Sequence, residues 1–356
     1  MYTYLYFYRM TMIKAFNKAK QIYLIFTMIA LLSACGNNKK VDVSHIDLDV
    51  TIERFDHDFD AMRTKPMPQQ ANYLRKKYGA FYQDFIERTL QAGSIADTAY
   101  LSTLKKVFEG KAYTDLKHEV DSVYPDLNKQ KAELTDAFKH IKYYFPAKRL
   151  PKVYVYFSGF QAQTSIGDDY FAIGLDMFLG NDSKFYPALI QTFPHYISRR
   201  FTPGNIIPRV IEGIAREDMF PEDEKDKSLL AKMVYNGKIM YFIDKILPDV
   251  PDSVKIGYTT RQLKWCDDFK ASIWAYFLEE NLLYNTDYMQ IQKYLTEAPF
   301  TPGIGEKNDS APKLAVWTGW QIVRKYMDEH PEVTLPRLMA DTDAQKILNE
   351  SKYRPK

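Results

Sequence analysis

His195 and Glu212, with Gln191 and Thr192 just upstream, are the residues whose types and spacing come nearest to a metal-dependent hydrolytic site. An imidazole and a carboxylate can both ligate Zn²⁺, and a carboxylate base beside the metal can activate its bound water. Positions i and i+4 share a helix face, so Gln191, His195 and Arg199 fall in one row on a continuous helix. The set is chemically incomplete. The Gln191 amide is a poor ligand, and Thr192 has no carboxylate to serve as a base at neutral pH. Arg199, one turn beyond His195, brings a fixed positive charge to where a dication would sit. No catalytic residue and no metal is assigned. Gln191, Thr192, His195 and Glu212 stand as degenerate metal-site positions.

The elements that must position these groups are read from periodicity. Ser183 can cap a helix over 184–201 that gathers Phe185, Leu189, Ile190, Phe193 and Ile197 on one side. Pro194 in its interior should kink the turn carrying His195. A second helix is predicted over 207–220. Upstream, Val153–Phe157 and Tyr170–Leu175 are the main β signals, and Ile46 to Glu53 alternates as a half-buried strand. Residues 57–145 break into short helices near Pro66, Pro68, Gly79, Gly93, Gly110 and Pro125. Residues beyond 183 are helical again. The expected class is α+β, predominantly α-helical, with a small β-sheet packed on helices. A single α-rich domain is expected over 45–356.

The pair of helices around His195 and Glu212-Gly213 resembles that of gluzincin zinc peptidases. Those place His-Glu-x-x-His on one helix and a Glu, often followed by Gly, on the next. Aligned so, the first histidine falls on Gln191, the catalytic Glu on Thr192, the second histidine on His195 and the third ligand on Glu212. The resemblance implies a degenerate zincin-like core. It also implies that Tyr170–Leu175 is an edge strand bordering a groove, where an extended segment could pair. It carries an alternative function, a zinc-dependent metallopeptidase with an atypical site at His195 and Glu212.

The amino terminus has a different chemistry. Arg9, Lys14, Lys18 and Lys20 precede an apolar stretch from Ile22 to Leu32, too short to span a bilayer and of signal-peptide length. Leu32-Ser33-Ala34-Cys35 resembles the bacterial lipobox, which implies a signal peptide over 1–34 and a lipidated cysteine and tether over 35–44. Acyl carbon buried in a bilayer contributes about 0.8 kcal/mol per CH₂, so two or three chains, palmitate among them, would hold permanently. Gly36 to Lys40 lacks an acidic run that could signal export to the cell surface, which favours a periplasm-facing position; the expected anchor site is the outer membrane. No other cofactor is expected.

The formal charge of +3 rests on that leader. Without its four cations Lys+Arg falls from 48 to 44 against 45 acids, a net of −1, and no nucleic-acid binding is implied. Two cysteines exclude a disulfide scaffold, and Cys266 reads as a buried, inert thiol. Asp56-His57-Asp58 and Asp60 are read as a solvated edge rather than a metal site. Asp168, Asp169 and Asp176 lack the oxygen spacing of an EF-hand and suit turns and caps. Trp317 and Trp320 are placed in the core.

Across the mature chain, several segments occur in combination with the lipobox: Arg54-Phe55-Asp56, Tyr170 to Gly180, Tyr196 to Phe201, Trp317 to Met327 and Ser351 to Pro355. Together they resemble the gliding-motility-associated lipoprotein GldB family. The resemblance implies a lipid-anchored, periplasm-facing envelope protein with envelope protein partners and a non-catalytic interaction role, and no catalytic residues.

Overall fold

Residues 40–223, 225–305 and 308–356 are described by a computed structural model. The compact unit Val43–Lys356 is built on four strands: β1 (Ile52–Arg54), β2 (Lys152–Tyr156), β3 (Thr164–Ile166) and β4 (Tyr170–Gly174). Their spatial order is β1-β2-β4-β3. β1 and β4 run parallel to β2, pairing Arg54 with Val155 and Ile173 with Val155, while β3 is antiparallel to β4.

Helices cover both faces, which explains why β2 and β4 read as unbroken apolar runs. Between β1 and β2 lie α1 (Phe55–Asp60), α2 (Met67–Tyr78), α3 (Ala80–Asp84), α4 (Tyr100–Glu109), α5 (Lys111–Val123) and α6 (Asn128–Tyr144). After the sheet come α7 (His195–Ser198), α8 (Ile206–Gly213), α9 (Leu229–Ile246), α10 (Asp252–Ile256), α11 (Thr260–Asp268), α12 (Lys270–Glu279) and α13 (Tyr288–Ile291). The chain ends in α14 (Leu314–Glu329), α15 (Leu335–Ala340) and α16 (Ala344–Ser351). The molecule is thus α+β and predominantly helical around a small mixed sheet.

Strand alternation divides the interior. Tyr154, Tyr156, Tyr170 and Ala172 face an aromatic layer built by α1 to α4, with Phe55 at its centre. Its ring lies 4.9 Å from those of Tyr78, Phe81 and Phe85, in edge-to-face contact. Val153, Val155, Phe171 and Ile173 face the larger core with α6, α8, α9 and α14. There α9 crosses α14 so closely that Gly237 and Gly319 oppose one another backbone to backbone. Trp317 and Trp320 are buried in this core, and so is the free thiol of Cys266.

Three expectations need correction. The alternating run from Ile46 pairs only at Ile52–Arg54, because β2 begins at Lys152, just after Pro151, and offers no earlier partner. The Val50 N–H instead donates to Thr135 Oγ1 of α6 at 3.2 Å. Tyr170–Gly174 is not an edge strand: β2 and β3 flank it and all five residues are buried, so no further segment can pair with it. The helix expected over 184–201 is two short pieces, a 3₁₀ turn at Tyr186–Leu189 and α7. Pro194, with ψ of 154°, precedes α7 and starts it rather than kinking a longer helix.

Candidate functional site

That break dissolves the row of would-be ligands. Gln191 and Thr192 lie exposed in the turn before Pro194, and His195 is exposed as the first residue of α7. With no helix running through 191–195, Gln191 and His195 do not share an i, i+4 face. Arg199, just past α7, turns inward and donates to the Gly257 carbonyl at 2.6 Å.

Glu212 is where the expected second helix places it. Ile206, Ile207, Val210 and Ile211 bury one side of α8, and Ile214 continues it into a π turn over Ile214–Met219. Gly213 lets this helix approach β4, since a Cβ there would lie 3.1 Å from the Phe171 ring. The Glu212 carboxylate takes Arg209 Nη1 at 2.6 Å and Arg216 Nε at 2.9 Å, partners three residues before it and four after it. Arg209 also donates to Gln163 Oε1 at 3.3 Å, and Arg216 to Asn236 Oδ1 at 3.0 Å. Burial alone would raise the Glu212 carboxyl, but Arg209, Arg216 and Lys313 outweigh it and hold it well below the usual carboxylate range. Both oxygens are thus committed to cations, so ligating a metal would require breaking two partly buried ion pairs.

A second carboxylate joins the cluster from a distant loop. Glu297 accepts from Arg200 at 3.0 Å and from Lys313 at 2.5 Å. Burial and the neighbouring Arg200 push the Lys313 ammonium below its ordinary value, against the pull of Glu297 and Glu212. Arg209, Glu212 and Arg216 were readable in sequence as an i, i+3, i+7 charge pattern. Glu297 and Lys313 were not, because their pairing crosses 97 and 16 residues of chain to Arg200 and to each other.

The acid-dependent stability of this cluster has a definite sign. Glu212 and Glu297 both sit below their ordinary values in the folded protein. The unfolded chain therefore binds more protons in acid, and the stability these groups supply is present above about pH 4.5 and lost as pH falls through the folded values. Glu212→Gln is expected to cost about 2 kcal/mol near neutrality. It should also flatten the decline between pH 5 and pH 3 in urea titrations. Equal slopes for the two proteins would refute the assignment.

Other expected candidates resolve as structure. Among the described residues, Asp56, His57 and Asp121 bring ligand atoms within 4.8 Å of one another. The Arg54 guanidinium already lies among them, 2.7 Å from Asp56 Oδ2 and 2.5 Å from His57 Nε2. The trio is an ion-pair network. Asp176 is fully buried and accepts from Ser158 N, Ser158 Oγ and Phe160 N at 2.7 to 3.0 Å, fastening the loop that follows β2. Asp169 pairs with Lys152 at 3.0 Å. Cys35 and the leader lie outside the described residues, and no helix among the described residues is long and apolar enough to cross a membrane.

The family model described as gliding motility protein GldB matches residues 36–355 of the chain. No curated protein matches it. No solved structure does either.

Proposed function

The chain belongs to the family of gliding motility protein GldB, and from that premise we propose a lipid-anchored envelope protein that works by binding partners rather than by catalysis. The anchor is an acylated Cys35, placed in the outer membrane with the folded body facing the periplasm. The leader chemistry supports this: four cations, a short apolar run and Leu32-Ser33-Ala34-Cys35.

The observation that carries the non-catalytic role is the double ion pair of Glu212 with Arg209 and Arg216. A zinc peptidase needs a free carboxylate ligand, a second histidine and a base on the bound water. Here the carboxylate is neutralised, His195 is exposed on a separate short helix, and Thr192 stands at the base position.

Two measurements test the two halves. Cells fed labelled palmitate should yield a labelled protein in the membrane fraction, and Cys35→Ala should abolish both label and membrane association. An unlabelled, freely soluble wild-type protein would overturn the anchor. Purified protein should contain no stoichiometric zinc, and His195→Ala should leave stability and cellular function unchanged. Stoichiometric zinc lost in His195→Ala, or peptide-bond cleavage supported by added Zn²⁺, would overturn the non-catalytic role.

A further inference from the structure

Among the described residues, the charges gathered around Glu212 and Glu297 do not balance. Arg199 and Arg200 follow α7, Arg209 and Arg216 come from α8, and Lys313 immediately precedes α14. Against these five cations the cluster holds two carboxylates, Glu212 and Glu297, each already shared by two of the cations. Among the described residues Arg199 donates to neutral oxygens, the Gly257 carbonyl at 2.6 Å and Gln262 Oε1 at 3.4 Å. Arg200 and Lys313 are each only 11% exposed, where neighbouring like charges are poorly screened.

The backbone adds to the imbalance. Lys313 occupies a left-handed conformation, φ 42° and ψ 47°, which costs a non-glycine residue on the order of 1 kcal/mol. It stands at the N-terminus of the 16-residue α14, which has no side-chain cap. Stability alone favours an acid at that end of a helix dipole, not a largely covered lysine. Strain, burial and like charge therefore converge on one residue.

We propose that this corner is an oxyanion-binding site, in which a carboxylate or phosphate group is held by Lys313, Arg200 and Arg209. Guanidinium groups suit such ligands because their N–H donors form a planar fork matching two oxygens. Among the described residues Arg200 uses Nη1 for Glu297, and Arg209 uses Nη1 and Nε for Glu212 and Gln163. Each guanidinium retains further N–H groups for an incoming ligand. Access is from the side of Arg209 and Glu297, whose side chains are 36% and 30% exposed. The site concerns ligand chemistry rather than anchoring, and it stands whichever way the zinc assay falls.

Thermal unfolding of the purified protein, titrated separately with inorganic phosphate and with succinate at constant ionic strength, tests the site. At least one of the two should raise the midpoint saturably, by about 3 °C or more. A response to phosphate alone marks a phosphate-bearing ligand, and one to succinate a carboxylate. Lys313→Gln and Arg209→Gln should each abolish the rise, whereas Lys346→Gln, on the distant α16, should keep it. If Lys313→Gln does not fold, the partly exposed Arg209→Gln decides. No saturable rise with either anion, or a rise that survives Arg209→Gln, would overturn the site.

Discussion

Gly319→Ala is expected to destabilise the protein by about 3 kcal/mol or more, although alanine is the better helix former by about 1 kcal/mol. In α14 a Cβ at this position would lie 1.8 Å from the Met233 carbonyl oxygen and 2.5 Å from its carbon, both backbone atoms of α9. No flexible side chain is there to yield, so the two helices would have to separate. The reciprocal substitution meets the same wall: a Cβ on Gly237 would sit 2.2 Å from the Gly319 carbonyl oxygen. α9 and α14 form the backbone of the larger core, so separation would loosen contacts well beyond the crossing. Gly204→Ala is the control. Nothing lies within 4 Å of a Cβ there, and its cost should stay within about 0.5 kcal/mol. Wild-type urea stability for Gly319→Ala would show that the crossing is looser than described.

The second large effect is expected for Arg324→Met. Arg324 donates Nε and Nη2 to Asp244 at 2.8 and 2.9 Å, and Nη1 and Nη2 to Asp252 at 2.7 and 2.9 Å. Its guanidinium lies 3.8 Å from the centre of the Trp320 ring, whose Nε1 also donates to Asp244. One side chain on α14 thereby fastens α9 and α10. Removing it leaves two adjacent carboxylates partly buried, with Lys255 as their remaining ion-pair partner among the described residues. A loss of about 3 kcal/mol is expected, the lower end for an ion pair broken on one side. Adding Asp252→Asn should restore part of it by deleting one of the orphaned charges. A single-variant cost under about 1 kcal/mol, or strict additivity in the double variant, would contradict the network.

Both predictions fall in a segment, Trp317 to Met327, that carries the family resemblance without a physical reason visible in the sequence. Trp317 and Trp320 were legible as core, yet the small residue between them is decided by a helix more than eighty positions away. β2 and β4 were legible because burial on both faces leaves only apolar residues in a row. β3 was not: three half-buried residues carry no period, and the strand covers the side of β4 that the peptidase resemblance left as an edge. Pro194 was recognised as disruptive, but its effect was underestimated. It ends one piece of chain and begins another, which removes the spacing on which the metal-site comparison rested. Glu212 was singled out as a degenerate metal-site position, without its two arginine partners. Its partners on the same helix are local, whereas the rest of the charge cluster is assembled by tertiary folding alone.

The division of the interior by β2 and β4 also fixes an order of assembly. The rings of α1 to α4 have no wall to close against until Tyr154, Tyr156, Tyr170 and Ala172 arrive, about a hundred residues after Phe55. A chain emerging amino terminus first must therefore hold those rings without their native cover until residue 172 has followed.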